Sequence, residues 1–558
     1  MASSHVKPNT WLFLRLPSET LKCLEIKPNT IIELGRLGSF AANSLLGRPY
    51  YYTYELLEKK DGEAQSRLRI VKPSELNAEI TGEVEEGTSG NGSPAPEEAL
   101  DKNNRLTVDS PSRQTLTQVD IEELKKTAAG QEIIDRILAN HAGLDEKTVF
   151  SKAKYMLRKR SKYLKRFTVL PMEAGQLIEF LMDKEPGRIL EMREETLGLI
   201  GVWSNVHVHG SEEVDRDANG KRVGGGRWLV VDETGGLVVA SLADRMGILR
   251  DDEDEEEDDM QNGSTSINGH TNGDGDIDMN EGSATNGATK PASHRDFPPP
   301  ASTNTLTVLH AAVQPNLSLL KYFGYDSSSP NSAHALHTHL KTLSWLQLLH
   351  PEEDPTYREP PVIAEEEMKT WKSGKRGTYW KKRRRWERCQ SIVDETREGG
   401  FEGLVVASVM DPVTILQHAV ALVRGGGTIV VYSATVEPLI RVMDLYSKER
   451  RTAYIQLIAK GEVPDTEDFP LDPRLLLAPT LQTSRIRDWQ VLPGRTHPAM
   501  TSRGGSEGYV FTARRVMPLE GAVEARGNFG GRGKKRKGVV GEEAAEGNSA
   551  AGAAVPEG

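Results

Sequence analysis

The sequence has little cysteine and lacks long apolar runs. Only Cys23 and Cys389 occur in 558 residues, which excludes a disulfide framework or a thiolate-rich metal cluster and predicts a reducing compartment. No apolar stretch approaches the roughly 20 residues of a membrane helix, and the first eleven residues lack the pattern of a secretion signal. We therefore expect a soluble intracellular protein, long enough for two or three globular units.

Positive charge is in deficit overall, but the deficit is local. The formal net charge is −11, and every one of the residues 251–259 is Asp or Glu. Lysine and arginine are also clustered. The surface is therefore predicted to be bipolar, and the distribution of charge matters more for binding a polyanion than the net value does.

Short apolar runs separated by glycine and proline dominate the start of the chain. They predict an N-terminal β-barrel domain over residues 1–110, with a disordered loop near residues 80–100. The pattern changes after residue 116, where Asp120 is suited to cap a helix. Residues 111–185 are accordingly predicted to form a basic α-helical connector.

An alternation of strand and helix patterns predicts an α/β, Rossmann-like methyltransferase fold over residues 186–250 and 301–517. Its clearest unit has a strand at 404–407, then Asp411 as helix cap, Pro412 in the first turn, a stop at glycines 425–427 and a strand at 428–432. A parallel sheet covered by helices follows. Residues 251–300 are predicted to be a disordered acidic insertion, and residues 518–558 a disordered tail rich in basic residues, glycine and alanine.

The turn after the strand at 229–231 has the layout of a nucleotide-binding loop. Methyltransferases that use S-adenosylmethionine have an acidic residue here, followed by glycines at alternate positions. If Asp232 is the acidic residue, those positions hold Thr234, Gly236 and Val238. We predict that Gly235 and Gly236 only make a tight turn and that no cofactor is bound.

The next strand, at 305–309, leads to the same prediction. It ends at His310 and two alanines, where a carboxylate is needed to accept hydrogen bonds from ribose hydroxyls. Histidines 207 and 209, and histidines 334, 337 and 339, have no nearby cysteines. We predict packing or surface roles for them and no metal site.

Two segments concentrate positive charge without any acidic residue. Residues 152–166 predict a helix with one apolar and one polycationic side, and residues 371–386 interleave cations with aromatics that can stack on bases. We interpret both as RNA-binding surfaces rather than merely solvated faces. The predicted RNA-binding residues are Lys152, Lys154, Arg158, Lys159, Lys162, Lys165, Arg166, Lys375, Arg376, Lys381, Lys382, Arg383, Arg384 and Arg385.

The second basic segment has an alternative interpretation as a nuclear-import signal. The tail contains a cleaner candidate for that role, RGKKRK at 532–537. Import through this tail segment predicts a nuclear location.

Several motifs together resemble a known family. They are WLFLRLP at 11–17, GRP at 47–49, TLT at 115–117, FTV at 167–169, DETGGL at 232–237 and VLPGRTHP at 491–498. The combination is similar to the non-catalytic subunits of the eukaryotic tRNA adenine N1-methyltransferase. The resemblance runs from about residue 11 to about residue 514 and excludes the low-complexity segments.

The resemblance implies that this chain pairs with a homologous catalytic subunit in a two-plus-two heterotetramer, and that this complex methylates the T-loop adenosine of tRNA. Catalytic members of the family place an aspartate at the position of Ser408, and serine cannot replace that carboxylate as a base. We expect no catalytic residue and no cofactor in this chain, which would bind and position tRNA. The alternatives are an active S-adenosylmethionine-dependent methyltransferase with an atypical loop, and an RNA-binding accessory of translation initiation.

Overall fold

A computed structural model describes residues 4–57, 65–76, 116–127, 130–141, 149–209, 216, 225–250, 303–329, 334–492, 495–499 and 506–518. The predicted loop near 80–100, the acidic insertion 251–300 and the import segment 532–537 lie outside the described residues. The elements described below belong to one compact unit, Met1–Val516.

Strands and helices alternate through most of the described chain. The strands are β1 (Thr10–Arg15), β2 (Leu21–Ile26), β3 (Ile31–Glu33), β4 (Ser39–Ala41), β5 (Thr53–Leu56), β6 (Leu68–Ile70), β7 (Arg166–Pro171), β8 (Arg227–Asp232), β9 (Thr305–His310), β10 (Leu340–Ser344), β11 (Phe401–Ala407), β12 (Val423–Ser433), β13 (Leu476–Gln482), β14 (Trp489–Leu492), β15 (Arg495–Pro498) and β16 (Tyr509–Arg515). The helices are α1 (Gln118–Thr127), α2 (Gly130–Ala139), α3 (Val149–Tyr163), α4 (Ala174–Lys184), α5 (Glu194–Trp203), α6 (Leu237–Arg245), α7 (Leu336–His339), α8 (Trp345–Leu349), α9 (Glu365–Thr370), α10 (Ser373–Glu398), α11 (Pro412–Ala419), α12 (Glu437–Leu445) and α13 (Lys448–Ala459).

The N-terminal strands form a five-stranded antiparallel sheet in the order β2-β1-β7-β5-β6, with β3 and β4 as a separate pair. Successive side chains of β1 point to opposite sides of this sheet, and both sides are buried at this strand. Leu12 and Leu14 pack in the N-terminal core, whereas Phe13 packs in the core of the larger domain. Among the described strands, β2 and β6 remain sheet edges, so closure into the predicted barrel is not confirmed.

Strand β7 is the main departure from the predicted helical connector. The helix expected at 152–166 is present as α3 but ends at Tyr163, and Arg166–Pro171 is a strand between β1 and β5. Phe167 stacks on Phe40, with ring centroids 5.1 Å apart. The pairing partners lie more than a hundred residues earlier in the chain, and local periodicity contains no information about them.

The larger domain contains a seven-stranded sheet in the order β10-β9-β8-β11-β12-β16-β13. The first five strands are parallel, and β16 is antiparallel to both of its neighbours. Along β8, Trp228 and Val230 face one core and Leu229 and Val231 face the other, as expected for a strand covered by helices on both sides. The predicted α/β, Rossmann-like fold is confirmed.

The predicted unit around Asp411 is present with one correction. The Asp411 side chain accepts a hydrogen bond from the Val413 amide at 3.2 Å, and Pro412 occupies the first turn of α11. The glycines at 425–427 lie within β12 rather than before it. A Cβ on Gly427 would come within 2.8 Å of the Glu402 carbonyl oxygen, so glycine is needed there for close approach between neighbouring strands.

In the described parts of the chain, no helix is long and apolar enough to cross a membrane.

A buried arginine at the start of β8 attaches the long helix α10 to the sheet. Arg227 donates to the carbonyl oxygens of Gly399 and Glu395 at 3.0 and 3.2 Å, and its Nε lies 3.2 Å from a carboxylate oxygen of Glu395. Its guanidinium also lies 4.4 Å from the ring centroid of Phe401. These contacts hold the C-terminal end of α10. The buried residues of this helix, Val393 and Thr396, lie at the same end.

We expect the substitution Arg227→Met to lower the free energy of unfolding by about 3 kcal/mol, because it leaves two backbone carbonyl groups without their donor. It also leaves the mostly buried Glu395 carboxylate with Lys341 as its remaining ion-pair partner among the described residues. Urea denaturation of the purified chain measures this effect. The matched control is Arg397→Met on the exposed side of the same helix, for which we expect a loss below about 0.5 kcal/mol. Equal losses in the two variants would contradict the anchoring role of Arg227.

Candidate functional site

The turn after β8 satisfies its own hydrogen bonds. Asp232 is buried, and its carboxylate accepts from the amide and hydroxyl of Thr234 at 2.7 and 2.5 Å and from the Val239 amide at 3.0 Å. Burial raises the pKa of Asp232, although the hydrogen bonds from the turn oppose that rise. The acidic residue therefore caps the first turn of α6.

Protein atoms also fill the space beside the two glycines. Gly235 and Gly236 have φ values of +75° and +93°, a conformation that favours glycine. A Cβ at Gly235 would lie 3.2 Å from the Leu319 side chain, and a Cβ at Gly236 would lie 3.2 Å from Leu320. The Leu319 amide donates to the Gly235 carbonyl at 2.9 Å. The glycines thus allow this leucine segment to pack, as the predicted tight turn requires.

A second set of contacts joins the carboxyl ends of β8 and β11. Strand order reverses between these strands, and ligands of open α/β sheets bind at such a point. Here a carboxylate oxygen of Glu233 accepts from the Ser408 hydroxyl at 2.8 Å and from the Val409 amide at 2.7 Å. Ser408, at the position where catalytic relatives are expected to have aspartate, is therefore bonded to a neighbouring loop.

The end of β9 does not supply the missing ribose contact. His310 is followed by Ala311 and Ala312, and its Nδ1 lies 2.7 Å from the Ala312 carbonyl oxygen. Burial lowers the pKa of His310, which disfavours the charged imidazolium. The residues around the turn therefore do not fit S-adenosylmethionine, because they present packed leucines and a histidine where a binding site needs space and a carboxylate.

The histidines have ordinary structural contacts. His334 is buried, its Nε2 lies 3.2 Å from the Phe323 carbonyl oxygen, and its Nδ1 accepts from the Leu336 amide at 3.2 Å. Within the described ranges, no group of three His, Cys, Asp or Glu side chains is arranged to hold a metal ion.

Helix α3 presents most of the first predicted basic surface. Lys152, Arg158, Lys162 and Lys165 are exposed, whereas Lys154 and Lys159 are half-buried. Burial lowers the pKa of Lys159, and the charge of Lys162 lowers it further.

The packed side of this segment differs in part from the predicted apolar side, which comprised Ala153, Met156, Leu157 and Leu164. Leu164 is buried as expected, but Leu157 is 43% exposed, and the buried Tyr163 and half-buried Tyr155 belong to the same apolar cluster. The ammonium of Lys159 lies 5.0 Å from the Tyr155 ring centroid. The predicted side did not include these two tyrosines, whose rings add apolar surface to the packed side.

Arg166 is separated from the other predicted RNA-binding residues of this segment. It lies in β7, and its guanidinium is 2.7 Å from a Glu75 carboxylate oxygen and 3.7 Å from a Glu55 carboxylate oxygen. Its side chain is only 11% exposed. This charge is already used to join β7 to neighbouring elements, so Arg166 is poorly placed to contact RNA.

Helix α10 presents the second basic surface. Residues 371–386 contain eight Lys or Arg residues and no acidic residue, and every side chain from 373 to 392, a stretch described throughout, is exposed or half-buried. The exposed cations predicted to bind RNA are Lys375, Arg376, Lys381, Lys382, Arg384 and Arg385. Only the C-terminal end is held by the sheet, so the basic part of α10 lies on the surface.

Two members of this segment have other partners. Arg383 is half-buried and lies 3.5 Å from a carboxylate oxygen of Glu359 and 3.3 Å from one of Glu387. Trp386 donates from Nε1 to the Tyr357 carbonyl oxygen at 3.0 Å. Trp386 therefore anchors the helix, whereas Trp380 is 46% exposed and is the better placed of the two to stack on a base.

The sheet order and the closed turn define a Rossmann-like methyltransferase fold in which protein side chains occupy the cofactor turn. The chain belongs to the Gcd10p family, whose profile matches residues 5–372. This membership confirms the resemblance inferred from the motifs.

Three fungal relatives illustrate the family. The tRNA (adenine(58)-N(1))-methyltransferase non-catalytic subunit trm6 of Aspergillus fumigatus is 46% identical over 572 residues, 97% of each chain. The subunit of the same name from Aspergillus oryzae is 46% identical and covers 97% of this chain and 96% of the relative. The Debaryomyces hansenii subunit is 29% identical, with coverages of 95% and 91%.

We expect Thr234→Val to lower the free energy of unfolding by about 1–3 kcal/mol at pH 7, because the buried Asp232 carboxylate loses a hydrogen-bond donor. A raised carboxyl pKa in the folded state means that this group's contribution to stability falls as pH rises from its unfolded pKa through its folded pKa. Since the ionised form needs the donor most, the loss should be smaller near pH 4.

Urea denaturation of both proteins at the two pH values measures this difference. Thr452→Val, at an exposed position of α13, is the control and should change stability little at either pH. A loss that is the same at both pH values would argue against the hydroxyl acting on the charged form of Asp232.

Proposed function

We propose that this chain is the non-catalytic, tRNA-binding subunit of a tRNA (adenine(58)-N(1))-methyltransferase, and that it pairs with a catalytic subunit. One observation carries the proposal: the ligand crevice of a methyltransferase fold is closed by Glu233, Ser408 and the leucine segment, while two acid-free basic segments lie on the surface. The names of the relatives support the same function. The chain thus keeps the fold and an RNA-binding surface without a site for methyl transfer.

The contribution to the reaction is positioning. A catalytic subunit must present one adenosine of a large folded RNA to its methyl donor, and correct orientation lowers the barrier by removing entropy in advance. Cations on α3 and α10 are suited to contact phosphates. Contacts to phosphates recognise the shape of the RNA backbone rather than its sequence. Binding should therefore weaken steeply with salt.

The assembly and location are finer parts of the proposal. A two-plus-two heterotetramer, as the family resemblance implies, would place two copies of each basic surface in each complex. A nuclear location is supported by the RGKKRK segment at 532–537.

The triple substitution Arg158→Ala, Lys162→Ala and Lys165→Ala in the co-expressed complex should weaken tRNA binding. Each lost phosphate contact should also reduce the slope of log affinity against log salt by about 0.7–0.9. Filter binding at several salt concentrations measures both quantities. The control is Lys27→Ala, Lys184→Ala and Lys460→Ala, which removes the same charge from other exposed positions.

Methyl transfer tests the division of labour. We expect labelled methyl groups from S-adenosylmethionine to reach unmodified tRNA only when this chain and the catalytic subunit are combined, with neither chain active alone. Activity of this chain by itself would support the alternative of an atypical active enzyme. A failure to pair with the catalytic subunit, with RNA binding retained, would support an accessory role outside tRNA modification.

Replacing Lys534, Lys535, Arg536 and Lys537 with alanine should shift the chain from the nucleus to the cytoplasm, because import depends on a dense cluster of cations. Fluorescence microscopy of the tagged chain in cells measures its distribution. The control replaces four cations of α10: Lys375, Arg376, Lys381 and Lys382. If only this second variant leaves the nucleus, the import signal lies in α10 instead.

A further inference from the structure

A cavity lies beside the basic segment of α10, at the carboxyl ends of β9 and β10. Its volume is about 510 Å³, within the range of small-molecule sites. The loop from His310 to Pro315 forms one side, and Arg385, Arg388 and Cys389 of α10 form another. No residue of the turn 232–238 is among its described lining residues, but His310, at the position of the missing ribose contact, lines it. The cavity is therefore the open end of the same crevice, next to the closed turn.

The polar groups at its base are already ordered by one another. Asp354 is buried and accepts from the Gln347 side-chain amide at 2.5 Å and from the Thr356 amide and hydroxyl at 2.8 and 2.6 Å. Gln347 also forms a capping box with Ser344 at the start of α8. These bonds hold the base of the cavity in place without a ligand, which is the preorganisation that a binding site needs.

The side of the cavity formed by α10 carries positive charge. Arg385 and Arg388 are exposed, and within the described residues neither takes part in an ion pair. Arg385 follows Lys381 by four residues and precedes Arg388 by three, so all three lie on one side of the helix. Planar guanidinium groups with this spacing are suited to bidentate contacts with phosphate.

Apolar side chains complete the lining. Leu346 is 44% exposed, Val313 is 98% exposed, and Ile392 is half-buried. Such surface is suited to the face of a nucleobase rather than to a bare phosphate ion. The cations match the phosphate of one nucleotide, and the apolar wall matches its nucleobase. The hydrogen-bonded groups at the bottom of the cavity keep its shape.

We infer that this cavity, here called the nucleotide pocket, takes one unstacked nucleotide of the bound RNA, with its phosphate on Arg385 and Arg388 and its base against Leu346 and Ile392. The inference rests on the proposed tRNA-binding function and adds a specific site to it. Because Gln347 and Asp354 are already paired, the pocket accepts different bases and contributes affinity rather than sequence specificity.

The test compares two double variants in the complex with the catalytic subunit. Arg385→Ala with Arg388→Ala removes the cations of the nucleotide pocket. Lys382→Ala with Arg384→Ala removes the same charge from exposed positions of α10 outside it. We expect the pocket variant to bind tRNA roughly tenfold more weakly than this control, because it loses the placement of the base as well as charge. Equal loss in both variants would overturn the inference.

Alkylation of Cys389 gives a readout at the site. This thiol lines the pocket, and burial raises its pKa. The intact complex is therefore labelled at alkaline pH and then digested, and the labelled Cys389 peptide is quantified by mass spectrometry. Saturating tRNA should slow the labelling at least about tenfold in the wild-type and control complexes, since an occupied pocket excludes the reagent. Unchanged labelling in a complex saturated with tRNA would overturn the inference.

Free nucleotides and a blocking variant separate the remaining possibilities. If adenosine monophosphate protects Cys389 at a lower concentration than tRNA does, the pocket serves a free nucleotide and the RNA assignment is wrong. Ala311→Trp should fill the pocket without changing charge and should weaken tRNA binding as the arginine variant does; unchanged binding would count against the pocket. A wild-type complex that neither binds nor methylates tRNA would instead refute the proposed function.

Discussion

The buried carboxylate of Asp232 is the constraint on which the site depends. A carboxylate removed from water must be met by donors, and here the amides and hydroxyl of its own turn provide them. The turn is therefore complete without a ligand. Leu319 and Leu320 pack against its glycines, and Glu233 binds the end of β11.

With this turn closed, the two concentrations of positive charge lie on the surface of the protein. The acid-free stretch of α10 keeps most of its cations exposed and that of α3 keeps half of them exposed. Charges in water attract a polyanion while costing little desolvation. Arg166 and Arg383 take part in ion pairs that help hold the fold together. Ion-paired cations and solvent-exposed cations can therefore be distinguished within the same basic segments.

The attachment of each basic helix depends on contacts far away in sequence. Helix α10 is held through Arg227 at the start of β8, and α3 leads directly into β7, the central strand of the N-terminal sheet. Phe13, on β1 of that sheet, packs in the core of the larger domain. The basic surfaces are thus carried by rigid elements, which positioning of an RNA requires.

The sequence by itself determined the α/β class, the tight turn after Asp232, the basic helix near residues 152–166 and the second basic segment, because periodicity, glycine placement and charge runs are local properties. Only the tertiary structure decided that residues 166–171 form a strand, that Arg166 and Trp386 are structural, and that Arg388 and Cys389 line a cavity with Gln347 and Asp354. These outcomes depend on pairing and packing between residues that lie about 30 to more than 100 positions apart in the sequence. No local pattern specifies such contacts.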